Sequence, residues 1–345
     1  MTLETDFERV TLPLEHEFTI SRGSRTSVEN VVVRIEDEGG MVGVGGAAPS
    51  EHYGETPATV EAVLPDLLDV VERVGDPHAL DEIERRMRAV VRDNPAARCA
   101  VSIALHDLCA KRLGVPLYRL WGLDASRTPD TSFTIGIDDD ETMREKTRAA
   151  VEAGHSTLKV KVGTDRDREV VSAVREEAPD ATIRVDANEG WGPREAVENS
   201  EWLAEMGVEF VEQPVPAEEP ENLRYVYERS ALPIAADESC VTLEDVPKIA
   251  DRADIANLKL MKCGGLREAT RMIHTARAHG LDVMLGCMLE SNASIAAACH
   301  LAPLLDYADL DGSLLLSDDG FEGVDLSGGD IALAADRNGT GARPR

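Results

Sequence analysis

The sequence is poor in lysine, in aromatic side chains and in positive charge generally. Its 345 residues carry 36 lysines and arginines against 65 aspartates and glutamates, so the formal net charge is −29, and only 4% of the residues are aromatic. Such a surface repels nucleic acid and anionic membranes, and we expect neither as a partner. A surplus of acids this large is also typical of proteins from a high-salt cytoplasm, where cations screen the repulsion between carboxylates.

Long apolar runs and paired cysteines are missing as well. No apolar stretch approaches the roughly 18 residues of a membrane span, and the first residues, MTLETDFERV, carry acids where a secretory signal has positive charge. The six cysteines stand singly within apolar stretches, with no C-x-x-C pair and no histidine at zinc-ligand spacing. We therefore expect a cytoplasmic protein with reduced, mostly buried thiols. Because symmetric assemblies are common among soluble enzymes, we also expect a homo-oligomer.

The few lysines are clustered. Only seven of the 36 basic residues are lysine, and four of these lie in two short segments, Lys159 with Lys161 and Lys259 with Lys262. Biased codon usage would explain the scarcity of lysine but not the clustering. A sequence that otherwise chooses arginine has kept lysine where a side chain must release its proton near neutral pH, so the clusters predict a chemical role.

Strand-like and helix-like runs alternate from about residue 131 onward. Eight strands are predicted to begin near residues 131, 156, 182, 208, 233, 255, 282 and 307, a repeat typical of a parallel sheet with crossover helices. Residues 123–316 are therefore predicted to form an α/β fold, a (β/α)7β TIM-like barrel. Residues 1–122, with a β-hairpin around Gly39 and Gly40 followed by amphipathic helices, are predicted to form an α+β capping domain. Residues 317–345 are predicted to pack back toward the cap, with a mobile end.

Polar residues recur where the predicted strands end, which in barrels is the active face. They are Lys159 and Lys161 on the second strand, Asp186 and Asn188 on the third, Glu212 on the fourth, Asp237 on the fifth and Lys259 on the sixth. A single acid after a strand is usually a helix cap. Three acids on consecutive strands of a closed barrel converge, however, and uncompensated carboxylates would repel each other there. Asp186, Glu212 and Asp237 are therefore predicted to bind a divalent cation, and oxygen ligands with room for substrate and water suit Mg²⁺.

The segments KVK, VDANEGW, VEQP, ADES and NLKLMKCGG resemble the enolase superfamily, and within it the muconate-lactonizing subgroup, over nearly the whole chain. The resemblance implies a magnesium-dependent isomerase that removes the proton beside a substrate carboxylate, through an enediolate intermediate. It implies Lys161 and Lys259 as bases on opposite faces of the α-carbon, with pKa values lowered by Lys159 and the metal. Two opposed lysines suit 1,1-proton transfer, although cycloisomerases and dehydrating synthases of the subgroup carry the same pair. The seventh strand, DVMLGCML, lacks the histidine of the mandelate-racemase-like subgroup.

The segments FTISRGSRT and YADLDG further resemble dipeptide epimerases of the alanyl-glutamate type. This resemblance implies that Asp309 and Asp311 hold the free ammonium of a dipeptide substrate. It also implies that Arg25, in a mobile N-terminal loop, binds the distal carboxylate of a glutamyl residue. Thr134 and GCMLES fit the same substrate site, and PSEHYGET around Tyr53 corresponds to a second capping loop. The predicted reaction is epimerisation at the α-carbon of the C-terminal residue of an L-Ala-D/L-Glu dipeptide or a related one.

Other functions stay open at this point. A muconate-type cycloisomerase, an o-succinylbenzoate synthase or an N-acylamino-acid racemase would use the same lysines, but their substrates have no free ammonium for Asp309 and Asp311. A catalytically idle barrel, kept for metal binding or assembly, would not need both lysines intact. The two aspartates could instead brace the barrel closure, and Arg22 and Arg25 could be surface charges. An organism of high-salt habitats without D-glutamate in its wall would use a different dipeptide.

Overall fold

The computed structural model describes residues 2–345, and its N-terminal part is built on an antiparallel sheet. The strands are β1 (Leu3–Ile20), β2 (Gly23–Asp37) and β3 (Val42–Ala47). The predicted hairpin around Gly39 and Gly40 joins β2 to β3, as expected. The segment predicted as a mobile loop is instead the end of a long ribbon, because residues 18–20 of β1 pair with residues 23–25 of β2.

Four helices follow this sheet, and α1 and α3 pack on it: α1 (Pro57–Val74), α2 (Leu80–Val90), α3 (Pro95–Leu113) and α4 (Leu117–Leu120). The central helix α3 is almost wholly buried and lies directly on β3. A Cβ atom at Gly43 would come within 2.1 Å of the carbonyl oxygen of Ala104, and one at Gly45 within 2.1 Å of that of Ala100. The glycines of β3 therefore allow the close contact between helix and sheet that forms the core of the cap.

The rest of the chain forms a parallel barrel whose eight strands follow one another in sequence order. A bridge between Thr131 and Ala308 brings the first strand beside the last, and the backbone N of Ser132 donates to the carbonyl of Ala308 at 3.1 Å. The strands begin within two residues of the predicted positions, which confirms the predicted (β/α)7β architecture. They are β4 (Phe133–Ile135), β5 (Thr157–Lys161), β6 (Thr182–Asp186), β7 (Val208–Glu212), β8 (Ile234–Ala236), β9 (Ile255–Lys259), β10 (Asp282–Gly286) and β11 (Tyr307–Asp309).

Helices connect these strands on the outside of the barrel. Pro193 and Pro220 are the first residues of two of them, a position where the missing N–H costs no helical hydrogen bond. The helices are α5 (Asp140–Glu152), α6 (Asp167–Glu177), α7 (Pro193–Glu205), α8 (Pro220–Tyr227), α9 (Val246–Ile249), α10 (Leu260–Cys263), α11 (Leu266–Ala278) and α12 (Asn292–Cys299).

The interior of the barrel is apolar at its amino end. Phe210, Met284 and Tyr307 fill it together with the aliphatic residues of neighbouring strands. The guanidinium of Arg184 lies 5.3 Å from the ring of Phe210 and 5.1 Å from that of Tyr307. Side chains alternate along a strand, so the next inward-facing residue after each of these lies at the carboxyl end. The polar side chains predicted to form the site therefore lie directly above this mainly apolar layer, which we call the apolar plug.

The C-terminal residues contact both cap and barrel. After the barrel, the short strands β12 (Phe321–Glu322) and β13 (Arg343–Pro344) pair with each other. The backbone N of Thr340 donates to Asp107 Oδ1 on α3 at 2.8 Å, and its carbonyl oxygen lies 3.1 Å from the His300 ring after α12. The domain boundaries 1–122, 123–316 and 317–345 stay predictions.

Two further expectations concern helices and thiols. Within residues 2–345, no helix combines the length and the apolar character needed to cross a bilayer. All six cysteines are free, five of them buried and Cys287 half-buried, as predicted.

Candidate active site

The carboxyl ends of the barrel strands bring Lys159 into contact with three carboxylates. Its Nζ lies 3.0 Å from Asp186 Oδ2, 2.7 Å from Glu212 Oε2 and 2.8 Å from Asp309 Oδ2. Only 2% of the Lys159 side chain is exposed. Burial lowers the pKa of Lys159, but the negative charges of Asp186, Asp309 and Glu212 raise it well above its ordinary value. Lys159 is therefore a fixed positive charge at the centre of the site.

Lys161 and Lys259 lie across the barrel from each other, on the second and sixth of its eight strands. Lys161 Nζ donates to Asp186 Oδ2 at 2.6 Å, and Lys259 Nζ donates to Asp237 Oδ2 at 2.7 Å. Both side chains are about nine-tenths buried. Two amino groups thus lie on opposite sides of the barrel mouth, an arrangement that suits the roles that the resemblance implies.

The pKa of Lys259 differs from the sequence prediction. Burial lowers this pKa, but the adjacent Asp237 carboxylate raises it more, and the net result lies above the ordinary value of a lysine. The prediction of a lowered pKa was based on positive neighbours, whereas the nearest charge is the carboxylate at 2.7 Å. A divalent cation on the same carboxylate would weaken this attraction and make the amine a better base.

Asp186, Glu212 and Asp237 form a set of fully buried carboxylates on three adjoining strands. Burial, and then the negative charge of Asp186, raise the pKa of Glu212 to about 8. Burial also raises the pKa of Asp237, but Lys259 and Lys262 bring it well below its usual range. Asn188 Oδ1, buried beside Asp186, accepts no hydrogen bond from any residue in the described range 2–345. These buried oxygen donors, whose negative charges the neighbouring lysines partly compensate, fit a bound Mg²⁺.

Lys262 belongs to the site, whereas the sequence prediction assigned specific roles only to Lys159, Lys161 and Lys259. It lies on α10, directly after β9, and its side chain is completely buried. Its Nζ donates to Asp237 Oδ1 at 2.6 Å, to the Asp237 carbonyl at 2.7 Å and to the Asn257 carbonyl at 2.9 Å. Lys262 therefore holds the Asp237 carboxylate in place on the side away from Lys259. The scarcity of lysine was the signal that could have identified it.

Gly286 ends the seventh strand, where the sequence lacks a histidine. A Cβ atom at this position would lie 3.1 Å from Lys259 Cε and 2.9 Å from Asn257 Oδ1. Asn257 in turn donates through Nδ2 to Glu212 Oε1 at 2.8 Å. Glycine therefore leaves room for Lys259 and Asn257 to reach their carboxylates, and no side chain on this strand competes as a base.

Asp309 and Asp311 lie at the end of the eighth strand, and both are buried. Asp309 accepts hydrogen bonds from Lys159 Nζ and, at 2.5 Å, from Ser132 Oγ. Asp311 Oδ2 accepts one from the backbone N of Thr134 at 2.6 Å. Burial, and then the negative charge of Asp309, raise the pKa of Asp311 to about 7. The pair is thus a second anionic centre, opposite the fourth strand that carries Glu212.

A cluster of charged residues lies where the cap meets the barrel mouth, and we call it the rim cluster: Arg22, His52, Glu189 and Glu238. Arg22, at the turn between β1 and β2, places Nη1 2.9 Å from Glu238 Oε1 and 3.2 Å from Glu189 Oε2. His52 Nε2 lies 3.6 Å from Glu189 Oε2. His52, Glu189 and Glu238 bring one possible metal-ligand atom each within 4.8 Å of one another. Because Arg22 already supplies positive charge between the two glutamates, this cluster does not need a metal.

Arg25 lies elsewhere. It is exposed on β2, opposite Phe18 of the ribbon, and its guanidinium makes no hydrogen bond or ion pair with another residue of the described range 2–345. Arg22, three residues earlier, reaches the mouth instead, because the turn of the ribbon carries it over the loops that follow β6 and β8. The structure therefore does not bring Arg25 together with the other predicted site residues.

Tyr53 and two strained residues complete the mouth. Burial, followed by the charges of Asp237 and Glu238, raises the pKa of the Tyr53 phenol, so this residue of the second capping loop lies near the carboxylates. Asn188 and Glu189 have positive φ angles of 43° and 67°, which are uncommon for residues other than glycine. Such strain concentrates at functional sites, and here it directs Glu189 toward Arg22.

Comparisons with known proteins agree with this geometry. Residues 142–345 match the family model described as enolase C-terminal domain-like, and residues 4–122 match that of the mandelate racemase / muconate lactonizing enzyme N-terminal domain. The chain is 43% identical over 325 residues to an L-Ala-D/L-Glu epimerase of Bacteroides thetaiotaomicron, covering 93% of this chain and 83% of that protein.

Solved structures extend the similarity to the whole fold. A dipeptide epimerase from Methylococcus capsulatus, complexed with Mg and L-Arg-D-Lys, superposes with a TM-score of 0.91 at 35% identity, covering 99% of both chains. A substrate-liganded L-Ala-D/L-Glu epimerase from Bacillus subtilis gives a TM-score of 0.93 at 30% identity, covering 100% of this chain and 99% of that one. The chain therefore belongs to the enolase superfamily, in its mandelate racemase / muconate lactonizing enzyme family.

Proposed function

We propose that the protein is a Mg²⁺-dependent dipeptide epimerase that inverts the α-carbon of the C-terminal residue of its substrate. One observation carries the proposal: two opposed lysines lie between two anionic centres, one of three carboxylates on β6 to β8 and one of two on β11. The relatives with the same fold include epimerases of L-Ala-D/L-Glu and an enzyme complexed with Mg and L-Arg-D-Lys. The same reaction in this chain would use both centres, one for each end of a dipeptide.

The carboxylates Asp186, Glu212 and Asp237 would hold the Mg²⁺, with Lys159 and Lys262 fixing their positions. When bound, Mg²⁺ supplies positive charge that stabilises the negative charge developing on the substrate carboxylate as its α-proton leaves. Lys159, ion-paired at the centre of the site, adds a second positive charge on the same side. The apolar plug beneath keeps this end of the barrel free of bulk water, which strengthens these interactions.

Lys161 and Lys259 would transfer the protons. Since they approach from the second and the sixth strand, an α-carbon between them presents its hydrogen to one lysine and its opposite face to the other. One lysine removes the proton as a neutral amine, and the other, as an ammonium, donates a proton to the opposite face. When the other epimer binds, the two lysines exchange the roles of proton acceptor and proton donor. This arrangement requires no movement of the substrate between the two steps.

Asp309 and Asp311 would bind the substrate ammonium, with Thr134 fixing the orientation of Asp311. Cycloisomerases, o-succinylbenzoate synthases and N-acylamino-acid racemases act on substrates without this ammonium, and the two buried aspartates would then share only Lys159, which also pairs with Asp186 and Glu212. Such incompletely compensated charge is costly, so the pair favours a dipeptide over these alternatives. The role of Arg25 as binder of a distal carboxylate gains no support from its exposed position on the ribbon.

The experiment that tests the proposal is a screen of L-Xaa-L-Xaa dipeptides in D₂O with Mg²⁺ and molar KCl, scored by mass spectrometry. We expect a gain of about one mass unit, located in the C-terminal residue, because exchange at the α-carbon introduces one deuteron. N-acetylated versions of the same dipeptides serve as matched controls and should remain unlabelled. Label in the acetylated compounds alone would favour an N-acylamino-acid racemase, and label in neither would contradict the proposal.

Asp309→Asn is expected to lower kcat/KM for dipeptides by at least about 100-fold, because it removes one of the two charges that hold the ammonium and releases one partner of Lys159. The measurement is the steady-state rate of epimerisation followed by polarimetry. Asp330→Asn, at an exposed position of the C-terminal segment, makes the same chemical change and should leave the rate unaltered. An unchanged rate in Asp309→Asn would assign the aspartate to barrel closure only.

The raised pKa of Asp311 predicts a pH dependence of substrate binding. Below pH 7 the Asp311 carboxyl is protonated and neutral, and above it the carboxylate can pair with an ammonium. The KM for a dipeptide should therefore fall by about fivefold between pH 6 and pH 8, because Asp311 ionises over this range while the substrate amine, whose pKa is about 8, loses half of its charge. Asp311→Asn should remove this fall. A KM that is constant over this range in the unaltered enzyme would contradict the role of Asp311.

The acid surplus supports a location for the enzyme. We propose that it works in a high-salt cytoplasm, because a net charge of −29 requires screening by cations. We also propose that it is a homo-oligomer, as many soluble enzymes are. The midpoint of thermal unfolding should then rise between low and molar KCl. A midpoint that stays constant would argue against the high-salt proposal.

A further inference from the structure

The rim cluster lies on one side of the barrel mouth. Glu189 follows β6 and Glu238 follows β8, so the cluster spans the third to the fifth barrel strand. Asn188 Nδ2 donates to Glu238 Oε1 at 3.4 Å and links these two loops over the fourth strand. Asp309, on the eighth strand, is diametrically opposite. The rim cluster and the pair Asp309 and Asp311 therefore lie on opposite sides of the barrel mouth.

These opposite positions fix the orientation of a dipeptide, given the proposed function on which the inference rests. The ammonium binds at the eighth strand, and the α-carbon of the C-terminal residue lies in the middle, between Lys161 and Lys259. The substrate carboxylate points down to Asp186, Glu212 and Asp237. The remaining substituent of that α-carbon is its side chain, which must extend upward and away from the ammonium, and it therefore reaches the rim cluster under the cap.

The charges of the rim cluster do not cancel. Arg22 contributes one positive charge, and Glu189 and Glu238 contribute two negative ones. Burial, and then the positive charge of Arg22, lower the pKa of His52, so the imidazole is neutral near pH 7. Arg22 directs Nη1 at three acceptors, the two glutamates and the Asn188 carbonyl. The cluster accordingly carries a net charge of −1 before any substrate enters.

We propose that the rim cluster is the subsite for the side chain of the epimerised residue, and that its surplus carboxylate selects a cationic side chain, of the lysine or arginine type, over a glutamate.

Two observations support this selection. A substrate carboxylate would compete for Arg22 with Glu238, whose side chain is only 1% exposed and would be left as a buried, unpaired charge. A substrate ammonium instead gains a carboxylate partner, because Glu189 is 16% exposed and reachable from the mouth. The overall charge of −29 adds to this preference by attracting cations and repelling anions.

The test compares L-Ala-L-Lys, L-Ala-L-Gln and L-Ala-L-Glu, measured as initial rates of α-deuteron uptake in D₂O. We expect rates in the order lysine, glutamine, glutamate, with a lysine-to-glutamate ratio of kcat/KM above about tenfold. Glu189→Gln keeps an acceptor for the backbone N of Ala217, which lies 2.8 Å from Glu189 Oε1, and should reduce this ratio by about tenfold. Arg22→Gln makes the cluster more negative and should raise it. General damage to the site would lower all three rates alike.

A binding measurement separates this inference from the proposed function. Dipeptides with an α-methyl group on the C-terminal residue have no proton to lose, and calorimetry gives their dissociation constants for the Mg²⁺-loaded enzyme. The lysine analogue should bind at least about tenfold more tightly than the glutamate analogue. Glu205→Gln, the same change at the exposed end of α7, should leave the ratio unaltered.

Two results would overturn the inference that the rim cluster selects a cationic side chain. Turnover with a preference for glutamate, lost in Arg25→Gln, would overturn the inference while the proposed function stands, and would return the role of anion binder to Arg25. Equal binding of the lysine and glutamate analogues would also overturn it. If no dipeptide is turned over and no analogue binds, both the proposed function and this inference fail.

Discussion

Replacing either Lys161 or Lys259 by alanine is expected to lower the rate of epimerisation by at least about 10³-fold, because each lysine serves one face of the α-carbon and inversion requires both. Each variant should still exchange the α-proton of one epimer with solvent. The remaining lysine removes that proton and returns a deuteron to the same face, without inversion. The measurement is deuterium uptake from D₂O into the L,L and the L,D dipeptide separately, together with polarimetry.

The two variants should therefore have complementary defects. One should exchange only the L,L dipeptide and the other only the L,D dipeptide. Lys248→Ala provides a matched control, since this lysine is exposed and pairs with Asp245 on its own turn, away from the barrel mouth. Epimerisation that survives in Lys161→Ala or in Lys259→Ala would rule out the two-base mechanism. Loss of all exchange in both would point instead to damage of the carboxylates with which the lysines pair.

The barrel could be predicted from the sequence because its strands and helices alternate with a regular period. The helix between β8 and β9 shows where this reasoning fails. The composition of residues 243–250 predicts a helix over that segment, but the helix spans only Val246–Ile249. Asp245 Oδ2 accepts hydrogen bonds from the backbone N atoms of Val241 and Thr242, and this loop delays the start of the helix. Side-chain capping of this kind competes with helix formation and has no periodic signature.

The ribbon β1–β2 was missed for a different reason. Much of β1 is exposed on both faces, so it lacks the alternation of apolar and polar residues that marks a half-buried strand. The prediction of a mobile loop at residues 18–26 came from the resemblance to dipeptide epimerases, and no strand pattern in β1 argued against it. The pairing of the two strands, which extends the ribbon over the barrel mouth, depends on contacts that no local pattern encodes.

The residues of the candidate site also fall into two groups, those that the sequence could predict and those that it could not. Asp186, Glu212 and Asp237 were predictable because strand ends of a barrel converge, and the position of each along the chain places it there. Arg22 and Glu238 were not, because their contact joins a turn in the cap to a loop 216 positions later in the sequence. Arg25 occupies the position in FTISRGSRT that the resemblance to dipeptide epimerases favoured. The pairing of residues 18–20 with residues 23–25 nevertheless places Arg22, and not Arg25, at the turn that reaches the barrel mouth.

Asp237→Asn is expected to lower the free energy of unfolding by about 3–5 kcal/mol and to abolish activity, because it removes the carboxylate shared by two buried ammonium groups. Lys259 and Lys262 both donate to Asp237, and the Lys262 side chain is fully buried. The amide retains an acceptor oxygen but not the negative charge. The measurement is guanidinium-induced unfolding at constant ionic strength, with and without Mg²⁺, alongside the rate of epimerisation.

A double-mutant cycle with Lys262→Met separates the two functions of this carboxylate. In Asp237→Asn the Lys262 ammonium is left without a counter-charge, whereas in the double variant a side chain of similar length and no charge fills its place. We therefore expect the double variant to regain about 2–3 kcal/mol of the lost stability, a coupling of the size found for residues in direct contact. Activity should not return, since the metal ligand is still missing. If the two substitutions were simply additive in stability, Lys262 would not act through Asp237, and its burial would need a different partner.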